Sequence, residues 1–480
     1  MKVNNRDCFL ITNFECELPF SCKREKFGNF FIRYNQSYIS PLDKVEDRRN
    51  ELYSSLETSV FLNKSSSDIN TRGFSIVNIK DKNIDIITST PNLECIYYFI
   101  DRKQNRFAIF NEFLLAGVVL NQLGVNIVYD YDKNQTSGET IVNGIGIFHP
   151  SKAYRLSCDA SGLSLTCEDL PDYLNESNSF PYADLNESGD MIWNLLLESI
   201  KKEINLKEGH RYASLLSSGV DSGAVSFIAA RHNIIKSTYS IGSLWGDEFE
   251  GAQKLAELLG LQFVPITLTQ NNILEGLCHA ISWMGTSNKT IIDINVSFQC
   301  FFKNPSVNHD VFFTGYGNDL INGGLYTTID SNEQFQKNIL NDIKKTRYSN
   351  EFSNRCASFY NKRLVHPYWD RRLIQDALKI HPSLKVKNGR EKFFFRKKYE
   401  EYVPYELAWK EKKAVHTGGG LEAGTNEMID RITGMCNSKQ VFYNKLFEHI
   451  FNDSTNVLTQ DGGHERHLDA VIHNLKREKK

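Results

Sequence analysis

The sequence predicts an α/β protein in two parts, a strand-rich sheet domain and a domain built on a parallel sheet with a helical remainder. Three observations support this fold class. Short apolar or alternating runs separated by Gly, Asn and Asp fill residues 1–168, as in sheet domains. After residue 190, strand and helix patterns alternate, which indicates right-handed βαβ units. From roughly residue 330 onward the patterns are mainly helical.

A polar stretch divides the chain. Residues 171–189 are rich in Asp, Asn, Ser and Pro and carry no apolar period, which is typical of an inter-domain linker. We therefore expect one domain over residues 1–170 and a second over residues 190–480. The length of 480 residues suits two or three domains of about 100–200 residues each.

Local patterns place the elements in order along the chain. In the first domain, strands are expected at 73–79, 84–87, 95–100 and 106–109, and a helix at 112–123. In the second domain, strands at 212–216, 236–241 and 263–268 alternate with helices at 223–231 and 248–259. Because strand and helix alternate, these later strands should run parallel, with helices covering the sheet.

Composition and charge narrow the function classes. The net charge of −2 gives no indication of a nucleic-acid partner. The most apolar stretch, residues 113–128, is interrupted by Asn121 and Gln122 and falls short of the ~20 apolar residues of a membrane span. The start lacks the apolar core of a signal peptide, and no two of the ten cysteines form a CxxC pair. We expect a cytoplasmic protein without nucleic-acid or membrane partners, and the sequence leaves a homo-oligomer open.

A tight, Ser-rich turn follows the first strand of the second domain. Residues 212–224 are YASLLSSGVDSGA, an apolar strand that passes through the turn into a helix. A helix N-terminus presents free N–H groups and partial positive charge, and small residues let these groups close around an anion. The predicted phosphate contacts are Ser217, Ser218, Gly219, Asp221 and Ser222. Asp221 would also hold Mg²⁺. The alternative is a turn whose Asp and Ser residues merely cap the helix.

A second glycine-rich loop lies further along. Residues 311–325 are VFFTGYGNDLINGGL, a strand that runs into the loop. Gly315 and Gly317 allow close backbone approach to a ligand, and Asp319 is a candidate second carboxylate for Mg²⁺. In a parallel sheet, ligands bind beyond the carboxyl ends of strands. The alternative is an ordinary Asn/Gly-rich turn.

The first loop resembles the pyrophosphate loop, SGGxDS, of the ATP pyrophosphatases, with Ser218 in place of the first Gly. The resemblance implies that ATP is bound, cleaved between its α- and β-phosphates, and used to adenylate a substrate. It also places adenine near Ser240, at the end of the second strand. Asp247 and Glu248 open the next helix, where they either serve the site or complement the helix dipole.

The second loop resembles that of the asparagine synthetases, SGEGxDE, but has Tyr316 in place of the Glu. The form TGYGxD is similar to the β-lactam synthetases and carbapenam synthetases of the same family. Further motifs of that branch occur in the same order. They are Glu351-Phe352, His366-Pro367-Tyr368-Trp369, Gly389-Arg390-Glu391-Lys392 with Arg396, and Lys412-Lys413-Ala414-Val415-His416. Ala414 and Thr417 depart from the branch pattern, which has Gly and Glu there. The resemblance is strong over about residues 205–420.

Carried over residue by residue, the resemblance implies three catalytic side chains. Tyr316 and Glu351 match a dyad that removes a proton from the substrate's own amine, as a general base does. Lys412 matches a lysine that stabilises the anionic transition state and the departing AMP. Taken apart from the order of the motifs, Tyr316 would be interpreted as a turn residue. The charged run around Lys412 would be interpreted as a solvent-exposed surface. His366 is expected to be structural, and the role of His416 stays open.

The amino-terminal part is also similar to asparagine synthetases. Residues 101–109 and 142–156 look like later segments of their glutaminase domain, an Ntn-type αββα sandwich. That domain uses an N-terminal Cys as nucleophile, and this sequence has Lys2 there. We therefore expect an inactive, vestigial glutaminase-like sandwich, followed by an ATP-pyrophosphatase-like parallel-sheet domain that supplies adenylation.

The sequence as a whole predicts an ATP- and Mg²⁺-dependent intramolecular ligase. Its small-molecule substrate would be a β-amino acid whose carboxylate is adenylated. Closure of a β-lactam ring would then release AMP, after pyrophosphate, in the biosynthesis of a β-lactam or carbapenam antibiotic. Two alternatives stay open: a related ATP-dependent amide or macrolactam ligase acting on another substrate, and an inactive relic of the family.

Overall fold

The computed structural model describes residues 9–19, 22–27, 30–34, 75–80, 83–88, 95–133, 139–149, 152–169, 174, 179–204, 209–349, 354–411, 418–459 and 464–478. Within these ranges the chain forms sheets of six, four, five and two strands. The two larger antiparallel sheets come first along the chain, and the parallel sheet follows.

Two antiparallel sheets form the amino-terminal part. Their strands are β1 (Phe9–Thr12), β2 (Lys23–Phe27), β3 (Phe30–Tyr34), β4 (Ser75–Lys80), β5 (Asn83–Thr88), β6 (Tyr97–Asp101), β7 (Arg106–Phe110), β8 (Ile145–Ile147), β9 (Lys152–Asp159) and β10 (Gly162–Asp169). The orders are β2-β3-β1-β7-β6-β8 and β10-β9-β5-β4. Side chains from both sheets, such as Ile11, Phe107 and Leu156, share one buried cluster, so the sheets pack face to face. The strand-rich expectation is confirmed; the glutaminase-like αββα assignment stays a prediction.

The parallel sheet carries the reversal of strand order that creates a binding crevice. Its strands are β11 (Tyr212–Leu215), β12 (Ser237–Ser243), β13 (Gln262–Leu268), β14 (Val311–Phe313) and β15 (Arg363–Val365). The order is β13-β12-β11-β14-β15, and every neighbouring pair is parallel. The chain moves outward from β11 through β12 and β13, then returns to the other side of β11. A reversal of this kind leaves a crevice at the carboxyl ends of the central strands.

Helices cover this sheet and make up most of the remaining chain. In chain order they are α1 (Leu114–Gln122), α2 (Leu185–Ile204), α3 (Val220–Arg231), α4 (Phe249–Leu258), α5 (Gln270–Met284), α6 (Lys289–Lys303), α7 (Asn318–Ile321), α8 (Asn332–Ser349), α9 (Asn354–Phe359), α10 (Arg371–Leu378), α11 (Pro382–Lys385), α12 (Phe393–Glu400), α13 (Tyr405–Ala408), α14 (Leu421–Thr433), α15 (Lys439–Asn452), α16 (Ser454–Thr459) and α17 (His464–Glu478). A 3₁₀ turn spans Pro367–Trp369, and a two-stranded hairpin joins β16 (Val386–Lys387) to β17 (Arg390–Glu391). The predicted parallel sheet and helical remainder are confirmed.

The carboxyl-terminal end of the predicted linker needs a correction. Helix α2 begins at Leu185, so residues 185–189 are helical. The Asp184 carboxylate accepts hydrogen bonds from the backbone N–H groups of Asn186 and Glu187, both at 2.9 Å. Asp184 therefore caps the helix, which explains why a polar stretch without an apolar period still starts a helix. The division into domains at 1–170 and 190–480 otherwise stays a prediction.

The amino-terminal part packs firmly on the carboxyl-terminal helices. Phe113, just before α1, contacts Phe447 and Phe451 of α15 with ring centroids 6.1 and 5.5 Å apart. A Cβ built on Gly285 would lie 2.5 Å from the Phe113 ring, so the end of α5 approaches the same aromatic group. Among the helices described here, none combines the length and the apolar character needed to cross a membrane.

Candidate functional site

The first loop follows β11 and leads directly into α3. Gly219 precedes the helix with an extended backbone, and within the described part of the chain no side chain caps this end. The Ser222 hydroxyl accepts a hydrogen bond from the Ser217 backbone N–H at 3.0 Å and lies 2.9 Å from the Ser217 hydroxyl oxygen. These bonds hold the turn closed, and the Gly219 N–H, just before α3, donates to the Ser217 hydroxyl at 3.2 Å. A helix start of this kind attracts anions.

Ser218 is directed toward α4. Its hydroxyl donates a hydrogen bond of 2.8 Å to Glu248, the residue before α4. A Cβ built on Gly251 would lie 2.7 Å from the Cβ of Ser218. Glycine at 251 therefore avoids a clash with the serine at 218. Glu248 thus has a specific partner in the loop, beyond any effect on the helix dipole.

Two carboxylates and one lysine meet beside this loop. Lys392 donates to both oxygens of Asp221, at 2.8 and 2.9 Å, and to Asp319 at 2.9 Å. The Lys392 side chain is fully buried, and the carboxylates are 13% and 16% exposed. Burial acts to lower the pKa of Lys392, but the attraction of Asp221 and Asp319 outweighs it, so this pKa lies above its ordinary value. Asn318 adds a hydrogen bond of 2.7 Å to Asp221.

Lys392 itself has an unusual backbone. Its φ of 53° lies in the left-handed region, which non-glycine residues rarely adopt. This conformation occurs at the junction between β17 and α12, where the chain turns the lysine into the core. Such strain is often found at functional sites.

The second glycine loop is packed directly onto the first. A Cβ built on Gly315 would lie 2.4 Å from the Ser222 backbone nitrogen, so the two loops touch through their main chains. Gly317 has a φ of 108° and precedes α7, a conformation that glycine adopts at little cost. Asp319, in the first turn of α7, is thereby brought to Lys392.

Tyr316 lies between these two glycines against an aromatic wall. Its ring centroid is 5.5 Å from His366 and 5.6 Å from Trp369. The Thr314 hydroxyl accepts from the Tyr316 backbone N–H at 3.3 Å and lies 2.7 Å from His366 Nδ1. The buried His366 therefore supports the loop that carries Tyr316, in line with the structural role expected for it.

The motif around His366 also supports the phosphate loop. The Tyr368 hydroxyl donates to the main-chain carbonyl of Asp221 at 3.1 Å. Tyr368 is fully buried, and burial raises its pKa well above the ordinary value, so the phenol keeps the proton that it donates. Ser240 is buried within β12. It lies next to Tyr239, whose carbonyl accepts from the Leu216 N–H at the start of the loop, at 2.7 Å.

Two predicted catalytic residues, Glu351 and Lys412, lie outside the described residues. The chain on either side of residues 412–417 can be located. A Cβ built on Gly251 would lie 2.6 Å from Lys410 Nζ, so Lys410 reaches the first turn of α4 beside Ser218. On the other side, the Ser243 hydroxyl donates to the carbonyl of Gly419. Both flanks therefore lie at the carboxyl end of β12, next to the phosphate loop.

The arrangement suits a phosphate-bearing ligand with a divalent cation. The Lys392 ammonium lies within hydrogen-bonding distance of both Asp221 and Asp319, and Mg²⁺ prefers such carboxylate oxygens. In the ranges that the structure describes, no cluster of three or more His, Cys, Asp or Glu side chains could hold a metal. The two carboxylates could hold Mg²⁺ together with phosphate oxygens, as is common for this ion.

In the sequence, Lys392 belongs to a motif but has no predicted role. The signal was a lysine beside a glycine turn, Gly389-Arg390-Glu391-Lys392. Lys392 is 171 residues from Asp221 along the chain, so local sequence patterns do not reveal their contact. The bond from Ser218 to Glu248 was equally invisible, because it joins two different loops.

The site thus combines a parallel sheet whose strand order reverses at β11, two glycine loops in contact, and two carboxylates around a buried lysine. The sequence model described as asparagine synthase matches residues 192–364 and 354–472, more than half of the chain. This chain belongs to the asparagine synthase family. The matched residues include both glycine loops and the segment with Lys392.

Curated relatives agree with this family. The chain is 25% identical over 215 residues to carboxyethyl-arginine beta-lactam-synthase of Streptomyces clavuligerus, covering 45% of this chain and 42% of that protein. It is 22% identical over 277 residues to asparagine synthetase B [glutamine-hydrolyzing] of Escherichia coli (strain K12), covering 50% of each. The chain thus spans about half the length of the curated relatives it matches. A solved structure of NMN synthetase from Francisella tularensis, 12% identical over 62% of this chain and 96% of that one, aligns with a TM-score of 0.27, too low to compare the folds.

Proposed function

We propose that this chain is an ATP-dependent ligase that activates a carboxylate as its acyl-adenylate. The observation that carries the proposal is the meeting of Asp221, Lys392 and Asp319 beside the open N-terminus of α3. This places a buried positive charge and two carboxylates next to a loop suited to phosphate. Membership of the asparagine synthase family supports ATP as the activating substrate.

Each residue of the loop has a proposed part in binding ATP. Main-chain N–H groups around Gly219 and the hydroxyls of Ser217 and Ser222 would hold the β- and γ-phosphates. Lys392 would balance the negative charge that moves onto the pyrophosphate as it leaves. When bound by Asp221 and Asp319, Mg²⁺ would supply charge neutralisation to the phosphate oxygens. The neighbourhood of Ser240 and Gly317 would complete the nucleotide site.

The finer proposal is closure of a β-lactam ring. The substrate carboxylate attacks the α-phosphate of ATP, which forms the acyl-adenylate and releases pyrophosphate. The substrate's own amine then attacks the activated carbonyl, a C–N bond forms, and the bond to AMP breaks. The proton of the amine passes through Tyr316 to Glu351, while Lys412 stabilises the departing AMP. Adenylation supplies the driving force for the strained ring.

Two observations support this finer reaction. Tyr316 is held against His366 and Trp369, and it follows Gly315, which contacts the backbone of Ser222 in the phosphate loop. In addition, the chain is similar to a protein named as a beta-lactam-synthase. We further propose that residues 1–170 form a vestigial glutaminase-like domain and that no glutamine is consumed.

The test is mass spectrometry of the products formed with ATP, Mg²⁺ and a panel of carboxyethyl amino acids, with and without glutamine. Loss of one water from one substrate together with AMP formation, independent of glutamine, would support lactam closure. AMP formation without a cyclised product would contradict lactam closure and favour intermolecular ligation. Absence of both AMP and pyrophosphate across the panel would contradict the proposed reaction on these acids and favour an inactive relic.

A further inference from the structure

A buried arginine joins two segments of the candidate site. Arg396 of α12 is completely buried. Its Nη1 donates to the carbonyls of Ala408 and Lys410, at 2.8 and 3.0 Å. Its Nε donates to the carbonyl of Glu391 at 3.2 Å, and its Nη2 pairs with the Glu391 carboxylate. One guanidinium therefore bridges main-chain groups that lie on both sides of it in the sequence.

The Glu391 contacts bear directly on Lys392. Glu391 and Lys392 are neighbours, so fixing the backbone and the side chain of Glu391 leaves little freedom for the next residue. Lys392 adopts a left-handed backbone with a φ of 53°, which the surrounding structure must maintain. The bonds from Arg396 hold the chain at this point, where it turns Lys392 toward Asp221 and Asp319.

Contacts to the segment that follows Arg396 in the sequence fix the chain that leads to Lys412. Arg390 donates to the carbonyl of Trp409 at 3.1 Å, so the carbonyls of Ala408, Trp409 and Lys410 all accept from arginines. The Trp409 indole N–H is held in turn by Glu400 at 2.9 Å. Hydrogen bonds from guanidinium groups are charge-assisted and stronger than neutral ones. The main chain is thereby anchored up to two residues before Lys412.

We infer that Arg396 is a positioning residue that fixes the position of Lys392 relative to the segment leading to Lys412. The inference rests on the proposed function for what the two lysines do to ATP and AMP. Arginine suits this place because its planar fork reaches several acceptors at once, which lysine cannot do. A displacement of about 1 Å at such a site can reduce turnover by about 100-fold.

The experiment compares Arg396→Lys with Arg372→Lys, an exposed arginine of α10 that pairs with Glu198. Hydrogen exchange followed by mass spectrometry reports the amides of residues 403–411, and pyrophosphate release reports kcat and the KM for ATP. For Arg396→Lys we expect exchange in 403–411 to rise at least about tenfold, as for a lost charge-assisted bond. We expect kcat to fall about 100-fold and KM to change less. Arg372→Lys should match the wild type.

Unchanged exchange in 403–411, or an unchanged kcat, would overturn the inference. If Arg396→Lys instead loses structure generally, exchange will rise equally over α3. The Arg390→Met variant then tests whether the arginine bonds hold this segment. That variant removes the bond from the half-buried Arg390 side chain to the Trp409 carbonyl, and it should increase exchange in 403–411 alone. If the wild type releases no pyrophosphate, the proposed function fails, while exchange in these variants still shows whether Arg396 and Arg390 hold the segment.

Discussion

Gly315 and Ser222 touch through their main chains, and this contact joins the two glycine loops of the site. A Cβ at 315 would lie 2.4 Å from the Ser222 nitrogen and 2.8 Å from the carbonyl carbon of Asp221. Both are backbone atoms at the start of α3, and backbone cannot move away as a flexible side chain can. The spacing between the phosphate loop and the loop with Tyr316 and Asp319 therefore depends on the absence of a side chain at 315.

We expect Gly315→Ala to destabilise the protein by about 1–3 kcal/mol, the usual cost of overpacking, and to reduce pyrophosphate release. Urea unfolding and an ATP-dependent pyrophosphate assay check this. Gly246→Ala is the matched control, because a Cβ there meets its nearest neighbours at 3.5 Å. Equal stability of the two variants would show that the loops can separate without cost.

Ser218 offers a test of the serine that replaces glycine in the first loop. Because its hydroxyl is committed to Glu248, it should not obstruct the phosphates. We expect Ser218→Gly to lower the free energy of unfolding by about 1–3 kcal/mol, since a bond to a charged group is lost. The KM for ATP should stay within about threefold, because glycine at 218 keeps the main-chain N–H predicted to contact phosphate. A KM that falls tenfold or more would mean that Ser218 hinders binding.

Lys385 should make stability depend on pH. It is completely buried in α11, its Nζ donates to the Ile321 carbonyl at 2.8 Å, and burial lowers its pKa to about 7. Below pH 7 the folded protein must carry a buried charge. Between this pKa and the ordinary value of 10.5 the unfolded chain binds more protons than the folded one, so stability rises with pH.

The matching variant is Lys385→Met, which keeps the length of the side chain. We expect the wild type to gain stability relative to Lys385→Met by up to about 1.4 kcal/mol per pH unit above pH 7. Urea unfolding at pH 7 and pH 9 measures this difference. Lys379→Met is the control, because the Asp376 side chain raises the pKa of Lys379 above its ordinary value. A constant difference between wild type and Lys385→Met would contradict the lowered pKa.

Tyr316→Phe should separate the two half-reactions proposed above. The phenyl ring can keep the contacts with His366 and Trp369, whereas the hydroxyl that would relay the proton is lost. We expect pyrophosphate release to persist and the cyclised product to fall by about 100-fold or more, as for a lost general acid–base group. Tyr326→Phe, which loses a bond to Asp342, serves as the control. Full cyclisation by Tyr316→Phe would remove this residue from the proposed chemistry.

The sequence alone determined the order of elements in the second domain. Strand patterns at 212–216, 236–241 and 263–268 match β11, β12 and β13 within one or two residues at either end, because apolar periodicity and turn residues are local signals. The motif order likewise indicated the asparagine synthase family, which the match over residues 192–364 and 354–472 confirms. The predicted linker extended to residue 189, whereas α2 begins at Leu185, because the cap at Asp184 lies inside a polar stretch.

Only the tertiary structure decided which distant residues meet. Lys392 contacts Asp221 and Asp319 across 171 and 73 residues, and Arg396 fixes the chain around Lys392 and Lys410 from within the core. Sequence patterns report the local preference of a segment, whereas such contacts depend on how the crossovers of the parallel sheet bring loops to one edge. Candidate site residues such as Asp221 and Asp319 were predicted from the sequence, but only the fold shows that both contact Lys392.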